Sequence, residues 1–342
     1  MRDEGRKGGR LLAGILVVAA AVLVPLYASQ YTITTFVRII YFGFLAMSVG
    51  LLIGQGGMIS LTQTAFFGLA GYVVGLLGRE RRLPFPIPEL SAVAAVIVVA
   101  TIFALMIMRT HRIVFLMITL ALGQICWSFA RQNTSLLHGW AGIRGIRPFP
   151  LAGIDFTQDS FFYWMSLALF LVGLFVMWRV VRSPFGLALK GIRENPLRMR
   201  ALGYPVYWMR VMVFVIAALY AGIGGILAVY ATGIVTPTTM QLSRTIWILL
   251  VVILGGANYF WGPVVGTVIA VWLDVIISQM TPRYNTVIGV IFVAVVLLTP
   301  NGIMGLLDRT RRALRAASAR RRQYAKKRQE DVLAAREGGE RK

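Results

Sequence analysis

Cysteine and histidine are almost missing from this chain of 342 residues, which contains one cysteine and two histidines. The single Cys126 lies within an apolar run, so neither a disulfide nor a thiolate metal cluster can form within the chain, and we interpret it as a small core residue. His111 and His138 lie about one membrane-length run apart. We expect them at opposite membrane faces, which argues against a shared site. The sequence therefore predicts no metal ligands and no catalytic residues.

Nucleotide-binding motifs are missing as well. The sequence contains neither a P-loop nor a glycine-rich dinucleotide turn after a strand, so we expect no cofactor in this chain and no ATP hydrolysis by it. Acidic residues are scarce, 13 against 35 lysines and arginines, and Asp274 is the one acid in the middle of an apolar run. An ionisable group inside a membrane suggests function. The favoured interpretation of Asp274 is a hydrogen bond or packing contact inside a helix bundle.

Long apolar runs are abundant. Hydrophobic residues make up 58% of the chain, charged residues 14%, and the mean hydropathy is +0.73. Runs of roughly 18–22 residues can cross a ~30 Å hydrocarbon core as helices, and because they are continuous rather than alternating, a β-barrel is excluded. We predict an all-α, polytopic integral membrane protein with about ten membrane segments, some of them broken or re-entrant. The predicted segments are 11–28, 32–53, 58–78, 90–109, 113–131, 161–181, 208–231, 244–257, 262–280 and 284–299.

The formal net charge of +22 is concentrated at the two ends of the chain. Basic residues at 2–10 and after Asp308 fit the positive-inside rule and contact with anionic lipids better than nucleic-acid binding. We predict a cytoplasmic basic N-terminus over 1–10, a transmembrane domain over 11–307 and a basic cytoplasmic tail over 308–342. The first apolar run is long for a signal peptide, so we interpret it as an uncleaved helix.

A polar, basic segment at 183–203 separates two apolar runs. Four basic side chains against Glu194 alone give it a net charge of +3, and it is too charged for lipid and too long for a simple turn. If it faces the cytoplasm with both termini, an even number of crossings lies on each side and the topology closes. The segment is then a place to hold another protein. Loop 78–89, with three arginines, falls outside and breaks the charge bias, and loop 132–160 is a candidate external docking surface.

Glycine-rich stretches interrupt the apolar runs at 54–57 and 255–262. Interruptions at similar places in two halves of a transporter point to a binding site. The alternative is a pair of short turns at which glycine lets helices pack closely, and the residues leave both open. The positions predicted to break helices or to pack closely are Gly54, Gly57, Gly68, Gly71, Gly255, Gly256, Gly262 and Pro263.

Neutral polar side chains cluster where the third apolar run begins, and a second set follows near residue 120. Hydroxyl and amide groups there suit a small polar or zwitterionic solute. Interhelical hydrogen bonds, worth about 0.6–2 kcal/mol each, are the alternative and are slightly favoured by the residues alone. The predicted substrate path consists of Ser60, Thr62, Gln63, Thr64, Phe67, Thr119 and Gln124.

A family resemblance rests on six stretches in order along the chain. They are GQGGMISLTQTAFFGLAGY (54–72), FLMITLALGQI (115–125), HGWAGIRGI (138–146), SPFGLALKGIRENPLRMRALG (183–203), LLVVILGGANYFWGPVVGTVI (249–269) and LLTPNGIMGLL (297–307). Over about residues 40–307 the chain resembles the permeases of branched-chain amino acid ABC importers of the LivM type, to which urea and amide permeases are close relatives. Each stretch is short, but the ordered set with matching spacing is specific.

The resemblance implies one subunit of an importer in a bacterial or archaeal plasma (inner) membrane. It implies as partners a second permease of the LivH type, two cytoplasmic ATPases that bind ATP and Mg, and a periplasmic or lipid-anchored solute-binding protein. Segment 183–203, named here the coupling segment, resembles the coupling helix, with Gly203 as its C′ glycine; Pro196 is expected to kink it. The tail contacts anionic lipid or, alternatively, the ATPases. The implied coupling residues are Gly186, Ala188, Ile192, Arg193, Glu194, Asn195, Leu202 and Gly203.

The function implied by the resemblance is translocation of branched-chain or related amino acids, driven by ATPases in trans. Thr62 and Gln63 stand where the family has Gly and His, and Trp140 and Ala141 depart from the external signature. Urea, short amides and small organic acids therefore stay open as alternative solutes. An ion-coupled secondary transporter is the alternative from another class; it would need paired intramembrane carboxylates or cation sites, and Asp274 alone is thin support for it.

Overall fold

A computed structural model of the chain describes residues 29–110, 112–147, 159–280, 283–298, 302–306 and 308–310. Several predictions fall on other residues. The basic N-terminus 1–10, the apolar segment 11–28, His111 and nearly all of the tail 308–342 lie outside the described residues, as does the middle of the predicted external loop, 148–158.

Each predicted apolar segment that falls on described residues is a helix. Helix α1 covers Gln30–Leu51 and continues as a π-helical turn over Leu52–Gly56, and α2 covers Gln63–Val74 and continues in the same way over Gly75–Glu80. The helices that follow are α3 (Ile87–Ile107), α4 (Arg112–Gln132), α5 (Thr134–Leu137), α6 (Asp159–Arg182), α7 (Pro184–Glu194), α8 (Pro196–Ala201), α9 (Val206–Thr232), α10 (Leu242–Gly255), α11 (Gly262–Met280) and α12 (Tyr284–Leu298).

Six of these helices are long and apolar enough to cross a membrane, namely Gln30–Gly56, Ile87–Ile107, Ile113–Gln132, Ser160–Arg182, Val206–Thr232 and Gly262–Met280. Helices α2, α10 and α12 are apolar but shorter, with 12, 14 and 15 residues. The prediction of an all-α, polytopic membrane protein is confirmed. The number of about ten membrane segments stays a prediction, because the shorter helices do not reach spanning length by themselves.

Helices α1 and α9 lie at the centre of the bundle. In their most apolar windows 83% and 72% of the residues are buried, compared with 22% in α4. Glycines of α9 let its backbone approach those of α1 and α2. A Cβ on Gly224 would lie 2.8 Å from the Tyr41 carbonyl oxygen of α1, and one on Gly225 would lie 1.9 Å from the Phe67 carbonyl oxygen of α2. Small residues are how membrane helices bring their backbones together, since lipid is as apolar as the side chains.

A two-stranded antiparallel ladder closes one end of the bundle, which we call the strand end. Strand β1 (Ile143–Arg144) follows α5 and strand β2 (Ile234–Val235) follows α9. Gly142 enters the ladder with φ +63°, and a Cβ there would lie 2.0 Å from the Val235 carbonyl oxygen. The other end of α1 is about 33 Å away at 1.5 Å per residue. We call it the coupling end, because segment 183–203 packs there.

Candidate functional site

The coupling segment is two helices rather than one kinked helix. Ser183 begins α7 as its N-cap, its side chain accepting a hydrogen bond from the Gly186 N–H at 3.4 Å. Asn195 is extended, at φ −150° and ψ 96°, and its side chain caps α8 by accepting from the Arg198 N–H at 3.0 Å. Pro196 is the first residue of α8, where its missing N–H costs nothing. The expected kink is therefore a clean break and restart.

Gly203 ends the segment as predicted. Its φ is +85°, in the left-handed region that glycine adopts without steric cost. The Gly203 N–H donates to the Arg200 carbonyl at 2.9 Å and the Tyr204 N–H donates to the Met199 carbonyl at 3.1 Å. This pair of bonds is a Schellman motif, and it satisfies carbonyls that the helix end would otherwise leave unpaired.

The predicted coupling residues divide between two surfaces. Gly186, Ala188 and Ile192 are buried against the bundle. The remainder, apart from Arg193, are exposed. Large leucines stand on the exposed side among charged residues, an arrangement typical of a surface that contacts another protein. We call this set the outer surface of the coupling segment; it consists of Leu187, Lys190, Glu194, Leu197 and Leu202.

Arg193 fastens the coupling segment to both glycine-rich interruptions. One of its terminal nitrogens donates to the Gly54 carbonyl, and the other donates to Asn258 Oδ1 at 2.7 Å. Its aliphatic part covers Gly57, where a Cβ would lie 2.6 Å from the arginine Cγ. A planar guanidinium, with donors in a fork, suits acceptors on two different elements. Arg193 therefore joins α7 to the end of α1 and to the turn between α10 and α11.

The two glycine-rich interruptions contact each other at the coupling end. A Cβ on Gly54 would lie 2.3 Å from the Ala257 carbonyl oxygen, and one on Gly255 would lie 1.8 Å from that of Gly262. Gly256 has φ +104°, a conformation that side-chain-bearing residues rarely adopt. These are contacts of closely packed turns, which is the second of the two interpretations offered for the glycines. Pro263 joins them by packing on α1.

The polar residues at the start of α2 are buried and bonded to neighbouring helices. Thr62 Oγ1 donates to the Thr119 carbonyl of α4 at 2.9 Å, and Ser48 of α1 donates to Gln63 Oε1 at 2.7 Å. The Ser60 hydroxyl accepts from the Thr62 N–H at 3.4 Å. The bonds of Thr62 and Gln63 are interhelical, as in the slightly favoured alternative, whereas that of Ser60 is local. The interhelical bonds hold α2 against α1 and α4.

Thr64 is also bonded between helices, because its hydroxyl shares a hydrogen bond with that of Thr245 of α10.

The amide side chains of Gln63 and Gln124 are the polar groups that remain available to a solute. The buried Gln63 Nε2 has no hydrogen-bond partner among the described residues, and a buried donor left unbonded is costly. Gln124 is half-buried and likewise has no hydrogen bond to the described part of the chain. A polar solute or a water at Gln63 would remove that cost, so the substrate path stays a prediction.

The other small and aromatic positions of α2 pack it near the strand end. A Cβ on Gly68 would lie 2.5 Å from the Met240 side chain, and one on Gly71 would lie 2.6 Å from that of Val229. Phe67 stacks with Phe42 of α1 at 6.3 Å between ring centroids, and both line a cavity of about 130 Å³. The two glycines therefore serve close packing, while Phe67 borders open space.

Sequence reasoning missed an ion pair inside the bundle. Arg38, in the strand-end half of α1, pairs through Nη2 with Asp274 Oδ2 of α11. The favoured interpretation of Asp274, a hydrogen bond inside the bundle, describes its side of the pair. The signal for Arg38 was visible in the sequence as a basic residue within the apolar run 32–53. Its partner lies 236 positions away, a separation that only the packing of α1 on α11 closes.

Comparison with known proteins adds the family. The family model described as the branched-chain amino acid transport system permease component matches residues 31–299. The permease LivM of the high-affinity branched-chain amino acid transport system of Escherichia coli is 23% identical, over 86% of this chain and 74% of its own. The probable branched-chain amino acid transport permease LivH of Methanocaldococcus jannaschii is 26% identical, over 73% and 80%. The guanosine ABC transporter permease NupQ of Bacillus subtilis is 34% identical over 27% and 28%. No solved structure gives a significant match. The chain therefore belongs to the family of branched-chain amino acid transport system permease components.

Proposed function

We propose that this chain is a permease subunit of an ABC importer that moves branched-chain or related amino acids across the plasma (inner) membrane. The observation that carries the proposal is the coupling segment: two capped helices, fastened to the bundle by Arg193, that present exposed leucines and charges outward. Exposed apolar side chains rimmed by charges are typical of a surface that a partner covers. The similarity to the named LivM and LivH permeases supports the solute class.

The proposed mechanism is rigid-body transmission. A cytoplasmic ATPase subunit would dock on the outer surface of the coupling segment and move it during ATP hydrolysis. Because Arg193 bonds to Gly54 and Asn258, the movement reaches α1 and the turn between α10 and α11 together. Packed interfaces respond to such shifts by moving between discrete arrangements. The buried coupling residues serve the bundle side of this contact and the exposed ones serve the ATPase side.

The proposed assembly contains four kinds of partner: a second permease of the LivH type, two ATPases that hold ATP and Mg, a solute-binding protein, and anionic lipids at the basic tail. This chain itself holds no cofactor and no nucleic acid in the proposal. Both termini and the coupling segment face the cytoplasm, and the strand end faces outward. The segment 132–160, which includes Trp140 with an exposed side chain, is the proposed docking surface for the binding protein.

The experiment is reconstitution of the complex encoded with neighbouring ATPase, permease and binding-protein genes into vesicles. We expect ATP-dependent accumulation of labelled leucine, isoleucine or valine that requires the binding protein. Urea, acetamide, guanosine and benzoate complete the panel and separate the alternative solutes. Accumulation driven by a proton or sodium gradient without the ATPases would contradict the proposal in favour of a secondary transporter.

A further inference from the structure

A cavity of about 730 Å³ opens at the strand end, between α1, α6, α9, α11 and the residues that follow β1. Its size falls within the range of small-molecule sites. Hydroxyl-bearing side chains of α1 and α9 line it, among them Tyr31, Thr34 and Thr232. Two arginines, Arg38 and Arg147, also line it, and none of the described residues that line it is acidic. The cavity is therefore polar and cationic, on the side of the molecule proposed to face outward.

Arg38 is the less exposed of the two arginines that line this cavity. It lies within a membrane-spanning helix, where a charged side chain marks function by default. A guanidinium has five N–H donors, and one nitrogen of Arg38 bonds to Asp274. The Arg38 side chain is 32% exposed, whereas the Asp274 side chain is 15% exposed and does not line the cavity. Asp274 therefore holds one nitrogen of the arginine, while the Arg38 side chain stays partly exposed at the cavity wall.

A second cavity continues the cationic lining toward the loop between α2 and α3. It measures about 450 Å³, shares Ile146, Arg147 and Tyr230 with the first, and adds Arg79 and Arg82. Among the described residues, the lining of the two cavities thus includes four arginines, of which Arg38 is paired with Asp274, and no acid. Charges of one sign along a cleft focus the electric field and raise the local concentration of the opposite ion.

Two acidic residues of the described chain lie near these arginines. Glu80 pairs with His138, and Glu89 accepts a hydrogen bond from Tyr230 through one oxygen, while its other oxygen is buried without a hydrogen-bond partner among the described residues. The basic loop that broke the charge bias contributes Arg79 and Arg82 to the second cavity, beside the one that Arg38 lines.

We propose that the two cavities form an outer vestibule that binds the carboxylate of the solute, with Arg38 as its least exposed anchor. This deepens the proposed function, on which its outward orientation rests. It names the solute class as small carboxylates, that is amino acids or organic acids, and it disfavours urea and short amides. A macromolecular ligand is disfavoured, since Arg38 lies within a span and is only partly exposed at the cavity wall. The arginine guanidinium can donate two parallel, charge-assisted hydrogen bonds to a carboxylate. A neutral amide has no charge and cannot accept this pair of bonds.

The test uses the complete complex in lipid nanodiscs without ATP and a cysteine placed in the vestibule. Thr34→Cys, combined with Cys126→Ala, supplies one thiol on the exposed face of α1. The rate of its alkylation by a small neutral maleimide is measured with L-leucine, isovalerate, leucinamide and urea in turn. Leucine and isovalerate carry a carboxylate, whereas leucinamide and urea do not. We expect the first two to slow alkylation and the last two to leave it unchanged.

Two variants and a matched control sharpen the result. Arg38→Gln combined with Asp274→Asn removes both charges, so that neither is left unpaired, and Arg147→Gln removes the shared rim charge. We expect each to weaken protection by leucine and isovalerate about tenfold, as for the loss of a charge-assisted hydrogen bond. Arg81→Gln is the control, because Arg81 is exposed in the loop that contains Arg79 and Arg82 but lines neither cavity. Size-exclusion of each variant complex checks assembly.

Several outcomes would overturn the vestibule. Equal protection by leucinamide and leucine would do so, as would full protection in the doubly neutral variant. If Arg147→Gln lost docking of the binding protein while leucine still protected the thiol fully, Arg147 would be a contact for the binding protein and not for the solute. Protection by isovalerate but not leucine keeps the vestibule and selects organic acids. ATP-driven leucine uptake is measured separately: its absence in vesicles whose vestibule is protected by isovalerate would overturn the amino acid solute and leave the vestibule standing.

Discussion

The two ends of the bundle differ in how much open space they hold. At the coupling end, glycines bring backbones within contact and one arginine bonds to two turns, which joins α7, α1 and the turn before α11 beside a cavity of about 320 Å³. At the strand end, larger cavities of about 730 and 450 Å³ lie open and arginines line them. A force can be passed only through a close-packed contact, and a solute can be received only in open space. The difference follows what each end is proposed to do.

The largest expected effect comes from filling the glycine contact at the coupling end. Gly255→Val would force a side chain into the Gly262 carbonyl, 1.8 Å from the new Cβ. We expect destabilisation of more than about 3 kcal/mol and loss of the folded subunit, because overpacked sites relax poorly. Size-exclusion chromatography in detergent measures it. Gly289→Val is the control, since a Cβ there meets nothing within 4 Å. Equal recovery of both variants would contradict the close-packed coupling end.

The second-largest effect, a loss of stability, is expected at the strand end. Arg38→Ala leaves Asp274 unpaired among apolar helices, and breaking such a pair is expected to cost about 2–3 kcal/mol. The midpoint of thermal unfolding of the purified complex should fall. Adding Asp274→Asn should restore most of the loss, because the unpaired charge disappears. A single variant as stable as the wild type would show that Asp274 is solvated without its partner.

Arg193→Ala should uncouple the ATPases from transport. The substitution removes both hydrogen bonds that join the coupling segment to the glycine-rich turns. We expect the amount of solute imported per ATP hydrolysed to fall about tenfold, the size of one lost charge-assisted bond, with the complex still assembled. Arg198→Ala, an exposed arginine of the same segment, is the control. Unchanged stoichiometry would leave Arg193 as a packing residue only.

A smaller effect is expected on the outer surface of the coupling segment. Glu194→Lys reverses one exposed charge without touching the bundle, so the subunit should insert normally while transport falls several-fold. ATP hydrolysis and uptake are measured together in reconstituted vesicles. Glu194→Gln should have a weaker effect than the charge reversal. Normal transport by the lysine variant would argue against an ATPase contact at this residue.

The smallest effect is expected inside the bundle. Gln63→Leu removes an amide whose Nε2 has no partner among the described residues and whose Oε1 accepts from Ser48. Uptake should fall by about threefold, the equivalent of one modest neutral hydrogen bond, while ATPase association is unchanged. Thr101→Val, which loses only a hydrogen bond to the Ile97 carbonyl of its own helix, is the control. Unchanged uptake would make Gln63 a packing residue.

Prediction from the sequence was strongest where one local property decides structure. Runs such as 90–109 and 113–131 became helices because a backbone in lipid has to bond to itself. Gly203 ended its helix because its conformation is local. The break at Asn195 was predicted less well: Pro196 was expected to kink one helix, but the Asn195 side chain caps a second helix and thereby favours a restart. Capping competes with kinking, and the residues alone did not rank them.

The sequence by itself determined the class of this protein, its helices, and the presence of a polar segment and glycine-rich turns between them. These follow from hydropathy and backbone chemistry, which act over a few residues. Only the tertiary structure decided which distant groups meet: Arg193 with Gly54 and Asn258, and Arg38 with Asp274. Such meetings depend on how whole helices pack, and the small and apolar residues at the helix contacts carry little information about which polar group will stand opposite which.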